Sequence, residues 1–347
     1  MSNVTLKMVA AAAGVSEYTA SLAINGLQGV APTTRDLVLT VAADLGYVPN
    51  RLARNLRRKS STDVGILTAN TANPFYGKLV AGIESVVRPR GFHTLVSDAT
   101  DAGAYSTIRE AEAVDAFIQR RVAAVILTYQ PQRAPMEKLV SWDLPIVFAD
   151  CPPLPQYPEH PWVMSDGRTA SREVGNHLAM HGYRHWVFLG HDRGWPTRVA
   201  RQQGFAQAAK DAGATVHVVE GGNSVATARR AMQAYLASPR AAGLDAMYAS
   251  NELVLNGGVR ALRAAGLTVG SDVGVVAFDE FDWADVLEPT FTVVDQDITS
   301  IGACAGQLAL NSIHGEAGPA QSSTPAPVLR IRRSCGCNPT LRDDQKR

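Results

Sequence analysis

Between residues 63 and 278, short apolar runs alternate with amphipathic stretches, and no other feature of the chain limits its fold as strongly. The runs fall at 64–69, 93–97, 123–128, 145–149, 185–190, 215–219, 244–249 and 273–278. The stretches between them, at 76–90, 105–121, 168–181, 199–212, 226–237 and 253–265, carry apolar residues at helical spacing. This alternation predicts βαβ units, and hence parallel sheets with helices on both faces. A region of about 285 residues exceeds what one core usually holds, so two sheets in two lobes are expected. The proline-rich run Pro152-Pro153-Leu154-Pro155, continuing to Pro161, is the expected exit from the first lobe.

A different pattern precedes residue 60. Leu6, Val9, Ala10 and Ala13 recur at i, i+3, i+4 and i+7, the apolar stripe of a first helix, and Gly14 breaks it. Ser16 is a good N-cap for a second helix, with Ala20, Ala23, Ile24 and Leu27 inward and Glu17, Tyr18, Ser21, Leu22 and Asn25 outward. Two short helices joined by a glycine-containing turn make a helix-turn-helix, whose second helix offers its outer face to a major groove. A third helix is marked by Thr34, Leu37, Val38, Val41, Ala42 and Leu45, opened by Pro32, Thr33 and Asp36 and closed by Gly46 and Pro49. Residues 50–58 place Leu52, Ala53 and Leu56 on one side among arginines, too short a segment to be a stable helix alone. It reads either as a basic linker or as a hinge that folds on touching DNA.

Charge supports this division. Residues 1–60 hold seven Lys and Arg against three Asp and Glu, a balance of +4; the whole chain is +1, so the remainder carries −3. Positive charge gathers on the small domain, as contact with phosphates requires. No run approaches the ~18 apolar residues of a membrane span. The alanines near the N-terminus are interrupted by Ser16, Glu17 and Thr19, so they do not read as a signal peptide, and a cytoplasmic location is expected. Four cysteines agree with a reducing compartment: Cys151 and Cys304 stand alone, and Cys335-Gly336-Cys337 is too tight and isolated for a usual four-ligand zinc site.

Enzyme signatures are missing. The phosphate-binding Gly-x-x-x-x-Gly-Lys-Ser/Thr, the dinucleotide Gly-x-Gly-x-x-Gly after a strand and the Gly-x-Ser-x-Gly elbow are all absent. Glu173, His177 and His181 share one helix face, but Gly182 marks that helix as ending, where histidine suits the dipole. No metal and no cofactor are expected. The segments directly after the strands are polar and aromatic: 70–76, Asp98 to Asp101, Tyr129 and Gln130, Asp150, 191–201, 250–252, and Asp279 to Trp283. Ligands of parallel sheets sit beyond those carboxyl ends, and such a lining suits a polyol.

These residues resemble the LacI/GalR (lactose repressor/galactose repressor) family of bacterial transcription regulators over essentially the whole length. The resemblance rests on Val4-Thr-Leu-Lys-Met-Val-Ala, Ala13-Gly-Val-Ser, Ile24-Asn-Gly, Thr34-Arg35, Leu45-Gly-Tyr-Val-Pro-Asn-Arg-Leu-Ala-Arg-Asn-Leu56, Asn73-Pro-Phe-Tyr76, Arg201-Gln-Gln-Gly-Phe205, Val276-Ala-Phe-Asp279 and Gln296. It implies a helix-turn-helix domain at 1–49, a hinge at 50–61 and an α/β core like the periplasmic sugar-binding proteins at 62–347. The N-lobe would comprise about 62–160 plus 296–325, and the C-lobe about 161–295 plus 326–340. It also implies a homodimer, a pseudo-palindromic double-stranded operator, and a small-molecule effector that sets operator affinity. The tail 338–347 has no heptad repeat, which argues for a dimer over a tetramer.

By matched position, Ser16, Thr19, Ser21, Asn25, Thr34 and Asn50 resemble phosphate contacts, Glu17, Tyr18 and Leu22 base readers, and Leu56 a minor-groove wedge. Thr5, Tyr47, Ala53 and Arg54 join the same DNA-binding set. Arg201, Asn251, Asp279 and Gln296 resemble effector contacts, and Phe75 and Trp195 pocket walls; Tyr76, Asp98, Tyr129, Asp150, Glu252 and Trp283 complete the expected effector set. The chain departs from the pattern at Leu22, where many members carry Arg, at Ala31, where Ser is usual, and at Glu252, where Asp is usual. A sugar or sugar derivative is the expected effector, with a nucleobase or nucleoside regulator, or a sugar-binding protein without DNA function, as alternatives.

Overall fold

The computed structural model describes residues 4–47, 61–101, 104–192, 194–316, 321–322 and 326–337. The expected hinge residues Asn50, Ala53, Arg54 and Leu56, and the tail from 338, lie outside them. Contacts group the chain into two units, 1–61 and 62–347.

The described residues of the first unit form three helices, α1 (Leu6–Ala12), α2 (Glu17–Ile24) and α3 (Pro32–Asp44). Thr5 and Ser16 cap α1 and α2 by accepting from the amides of Met8 and Thr19. Val9, Ala10, Ala13, Ala20, Ala23, Val38 and Ala42 form its core. Three residues expected inside face solvent: Leu27 is 42% exposed, Leu37 50% and Leu45 38%. The cause is length. Helix α2 ends at Ile24, which puts Leu27 beyond it, and a bundle this small covers only one narrow stripe of α3. Ala31 stands at the N-cap of α3 and makes no side-chain cap bond. Ala31→Ser should therefore stabilise this unit by about 0.5–1 kcal/mol; a headpiece melting curve unchanged by the hydroxyl would show that the cap does not form.

The described residues of the second unit form two six-stranded sheets, besides a two-stranded pair at 100–101 and 104–105. In the N-lobe, the strands are β1 (Asp63–Thr68), β2 (His93–Asp98), β3 (Ala124–Leu127), β4 (Ile146–Ala149) and β5 (Trp162–Val163), with helices α4 (Pro74–Val87), α5 (Thr107–Arg120) and α6 (Arg133–Ser141). In the C-lobe come α7 (Gly167–Met180), β6 (His185–Gly190), α8 (Pro196–Ala212), β7 (Thr215–Glu220), α9 (Val225–Leu236), β8 (Ala246–Ala249), α10 (Glu252–Ala264), β9 (Gly274–Phe278) and β10 (Thr292–Asp295). Helix α11 (Ile298–His314) and β11 (Gln321–Ser322) return to the first lobe, and β12 (Val328–Arg330) joins the second. Spatial order is β11-β5-β4-β3-β1-β2 in one sheet and β12-β10-β9-β8-β6-β7 in the other; within these two sheets only β12 runs antiparallel.

Central strands are buried throughout, as in Ala124–Leu127 and Ile146–Ala149, because helices cover both faces. Each ring of Trp186, Phe188, Phe205 and Phe278 in the C-lobe core stabilises by roughly 2–3 kcal/mol through burial. Helices α4 and α11 touch through glycines: a Cβ at Gly302 would collide with the Leu79 carbonyl oxygen. That approach needs residues without side chains, and it explains a helix composed mainly of small and apolar residues.

Two expectations change. The proline run 152–161 is not the exit from the first lobe, because Trp162 and Val163 still pair with β4; the chain leaves at Met164, after that edge strand is complete. Nor is Cys335-Gly336-Cys337 isolated. The C-terminal segment turns back onto the C-lobe sheet, with the Val275 amide donating to the Ser334 carbonyl at 2.7 Å, and brings both cysteines to His177 and His181 at the end of α7. Separations of 158 and 156 residues along the chain conceal this proximity from any local pattern.

Candidate functional site

Both sheets point their carboxyl ends into one cleft. At the N-lobe rim, Asn73 caps α4 by accepting from the Phe75 amide at 3.1 Å, and Pro74 fits the first helical position. This local signal sets Phe75 and Tyr76 in the first turn, where their rings meet edge to face with centroids 5.1 Å apart. At the C-lobe rim, Trp195 stands at the N-cap of α8 without a side-chain cap bond, Pro196 again takes the first helical position, and Arg201 comes in the second turn. Asn251 caps α10, its carboxamide oxygen accepting from Val254.

The cleft encloses about 570 Å³, mouth included, and its lining contains Phe75, Tyr76, Asp150, Trp195, Arg201, Asn251 and Asp279. These seven come from strand ends and helix starts scattered across both lobes. Glu252 and Trp283 line an adjoining depression, bonded to each other at 2.8 Å through the indole nitrogen. Tyr129 and Gln296 are buried behind the walls. The Tyr129 ring supports Trp195 edge to face at 5.2 Å. Gln296 donates to Asp279 and accepts from Ser165, which ties together two of the segments crossing between lobes. Asp98 organises its own loop, accepting from the amides of Thr71 and Thr100 at 2.7 and 2.8 Å.

Asp150 and Asp279 occupy corresponding places, each directly after a central strand and each with a left-handed backbone, φ 59° and 77°. Strain of this kind persists where surrounding structure fixes it, and it clusters at binding sites. Arg201 acts on both. Its guanidinium lies over the Phe278 ring at 3.6 Å and donates to the Ser250 carbonyl at 2.6 Å. Among the described residues, the buried Arg201 Nε and Asp150 Oδ1 find no hydrogen-bond partner; a polar ligand would satisfy them. Burial pushes the Asp279 carboxyl up, opposed by Arg201 and by the Gln296 hydrogen bond.

Asp150 is raised to about 7 by burial, with Arg201 opposing and Asp279 adding. The folded chain thus holds this proton more tightly than the unfolded chain, where an aspartate titrates near 3.8. Stability contributed by the neutral carboxyl is complete at low pH and is lost as pH rises toward 7. Asp150→Asn removes that loss, so its Tm should fall less than the native protein's between pH 5 and pH 8. Parallel Tm–pH curves for the two proteins would refute the assignment.

Sequence reasoning identifies the loops but not every lining residue in them. His191, Asn70, Asn73, Thr128, Thr197, Asn223 and Leu253 also line the cleft. His191 bonds Ser250 Oγ through its amide and Nδ1, at 2.9 and 2.8 Å. Burial first, then Arg201 and Arg198, holds its pKa well below the usual histidine value, which keeps it neutral. The turn Gly221-Gly222-Asn223 comes directly after the apolar run of β7, a signal by which Asn223 could be found. Asn223 also closes the lobes, its carbonyl accepting from Asn70 at 3.1 Å, as do Lys78 and Asp282 in an ion pair at 2.7 Å.

On the headpiece, α2 turns Glu17 and Tyr18 to solvent, Tyr18 at 73% exposure, with Thr19, Ser21 and Leu22 half-buried beside them. Asn25 spends its amide on the Ser21 carbonyl at 2.7 Å, and Thr34 lies in the first turn of α3. Tyr47 packs on the headpiece core. Arg35, a residue outside the expected set, bonds the carbonyls of Ala23 and Leu27 and so fixes the end of α2.

Residues 5–50 match the model of bacterial regulatory proteins of the lacI family, and residues 61–332 match that of periplasmic binding proteins and the sugar-binding domain of the LacI family. The chain belongs to the LacI family. It is 30% identical to the HTH-type transcriptional regulator CelR of Thermobifida fusca over 90% of this chain and 92% of that one. It is 26% identical to the transcriptional repressor CytR of Escherichia coli, over 90% of each. Among solved structures, the complex of CelR with cellobiose superposes with a TM-score of 0.70 at 27% identity, covering 96% of this chain and all of that one. The lac repressor dimer bound to operator and an anti-inducer superposes at 0.81 and 24% identity, covering 96% and 99%, and shows the shared fold. The relatives are transcriptional regulators, and no helix among the described residues of this LacI-family chain is long and apolar enough to cross a membrane.

Proposed function

We propose that the chain is a non-enzymatic transcriptional repressor, acting as a homodimer on a pseudo-palindromic operator, whose grip on DNA is set by a sugar held between the lobes. One observation carries the ligand class: Arg201 stands with Asp150 and Asp279 in a cleft walled by Phe75 and Trp195. A guanidinium flanked by carboxylates pairs with adjacent hydroxyls, while aromatic walls cover the C–H face of a pyranose. CelR, solved with cellobiose, supports the same class. In the headpiece, Tyr18, Glu17 and Leu22 form the reading face. Leu22 meets a thymine methyl or another apolar edge, and Glu17 accepts from a cytosine amino group, so the operator departs from those read by an Arg at that position.

Effector binding shifts the balance between lobe arrangements and thereby the geometry in which two headpieces are presented. The test is a thermal-shift screen of the full chain against mono- and disaccharides, with nucleosides and purines as a second arm, followed by operator titration with each hit. A sugar that raises Tm and alters operator affinity is the expected result. Stabilisation by nucleosides or purines with none from sugars would overturn the ligand class.

A further inference from the structure

The far end of α7 gathers four soft donors away from the cleft. His177, 2% exposed, and His181 are four residues apart and so share one helix face. Opposite them, Gly336 adopts φ 88°, and this turn presents Cys335 and Cys337 on the same side. A Cβ at Gly336 would lie 2.5 Å from the Tyr183 hydroxyl, so the turn requires glycine for space as well as conformation. His177 Nε2 lies 3.2 Å from Cys335 Sγ and 3.8 Å from Cys337 Sγ, and His181 Nε2 lies 3.1 Å from Cys337 Sγ. All four donor atoms fall within 4.8 Å of one another.

A tetrahedral zinc ion with bonds of ~2.3 Å to sulfur and ~2.0 Å to nitrogen spaces its ligands ~3.3–3.8 Å apart. The observed separations, from 3.1 Å to at most 4.8 Å, bracket that pattern, so the four atoms reach it by side-chain shifts on the order of an ångström. Two thiolates and two imidazoles favour zinc over magnesium or calcium, which take oxygen. Cys335 Sγ accepts from the Thr292 hydroxyl at 3.1 Å, a contact that also suits a thiolate, and as a thiol it donates to the Arg332 carbonyl at 3.3 Å. The Tyr183 ring stacks on His181 at 5.5 Å and 17°, and its hydroxyl donates to the Cys335 carbonyl at 3.1 Å. Outer contacts of this kind orient ligands.

We propose that His177, His181, Cys335 and Cys337 bind one Zn2+ that fastens the C-terminal segment to α7. On binding, both thiols lose their protons to solvent, and the doubly charged ion meets two thiolates, so the buried site is neutral overall. Four protein ligands close the coordination sphere, which makes the ion structural. His177 is ten residues from Gly167 at the cleft end of the helix, ~15 Å along its axis, so the ion is separate from the effector site.

Full-length protein purified under reducing conditions should contain one zinc per chain by elemental analysis. Chelation should lower Tm, and Zn2+ but not Mg2+ should restore it, by about 5 °C or more at saturation. Replacement by Co2+ should give the visible bands of a tetrahedral, thiolate-bound ion. Cys337→Ser and His181→Ala, both at partly exposed positions, should lose those bands while keeping the native circular dichroism. If the reduced native chain takes up neither Zn2+ nor Co2+, or if Cys335 and Cys337 are alkylated equally fast with and without Zn2+, the proposal fails.

Discussion

A chain truncated before Thr62 is expected to keep its effector and lose its operator. The two units make their own cores, five alanines and two valines in the headpiece and four large clusters in the lobes, so removing residues 1–61 leaves the second unit's packing complete. With the headpiece go the α2 reading face and its net positive charge. Specific operator affinity should fall by at least ~10³-fold, the usual gap between specific and non-specific binding, while the Tm rise produced by the sugar should persist. Fluorescence anisotropy on operator and scrambled DNA measures the first, and thermal shift the second. Retention of sequence-specific binding by the truncated chain would remove the headpiece from the account.

Arg201→Ala should have the converse effect. The substitution removes the stack on Phe278 and the bond to the Ser250 carbonyl, and it leaves Asp150 and Asp279 without the cation that opposes the rise in both their pKa values. A hydrogen bond involving a charged group is worth about 1.5–3 kcal/mol, so sugar affinity should drop about 10- to 150-fold. Operator affinity in the absence of sugar should stay about unchanged, since the headpiece is an independent unit. Calorimetric titration of the sugar against both proteins reads this directly. Equal affinities would show that Arg201 supports the C-lobe core and takes no part in recognition.

How much of the fold is legible in the sequence depends on the range of the interactions involved. All eight apolar runs are strands and all six amphipathic stretches are helices, because each pattern is set by neighbours two to four residues away. The strands Trp162–Val163 and Val328–Arg330 leave no such pattern, being two and three residues long and sitting at or near sheet edges. Helix α11 is hidden for the opposite reason. Packed through Gly302 against α4 and covered on several sides, it has little polar face to betray its period. The exposure of Leu37 and Leu45 is another case in which correct local periodicity does not say how much neighbouring structure is available to cover it.

The site divides the same way. Asn73-Pro74 and Trp195-Pro196 announce helix starts, and the rule that ligands gather at strand carboxyl ends then selects Phe75, Asp150, Trp195, Arg201 and Asp279. It cannot distinguish Asp98, committed to Thr71 and Thr100, from Asp150, whose Oδ1 is buried without a hydrogen-bond partner, since both are aspartates at the end of a strand. Only the folded chain separates a carboxylate satisfied by its own loop from one whose oxygen is left without a hydrogen-bond partner in the cleft.

The sequence by itself determined the headpiece, the alternation of strand and helix, and the loops that border the cleft, because capping, periodicity and turn chemistry act between residues close along the chain. Tertiary structure alone decided where the chain leaves the first lobe, which polar groups Arg201 serves, and that Cys335 and Cys337 meet His177 and His181. Those outcomes depend on burial and on contacts between segments far apart in sequence, and neither is encoded in any short window of residues.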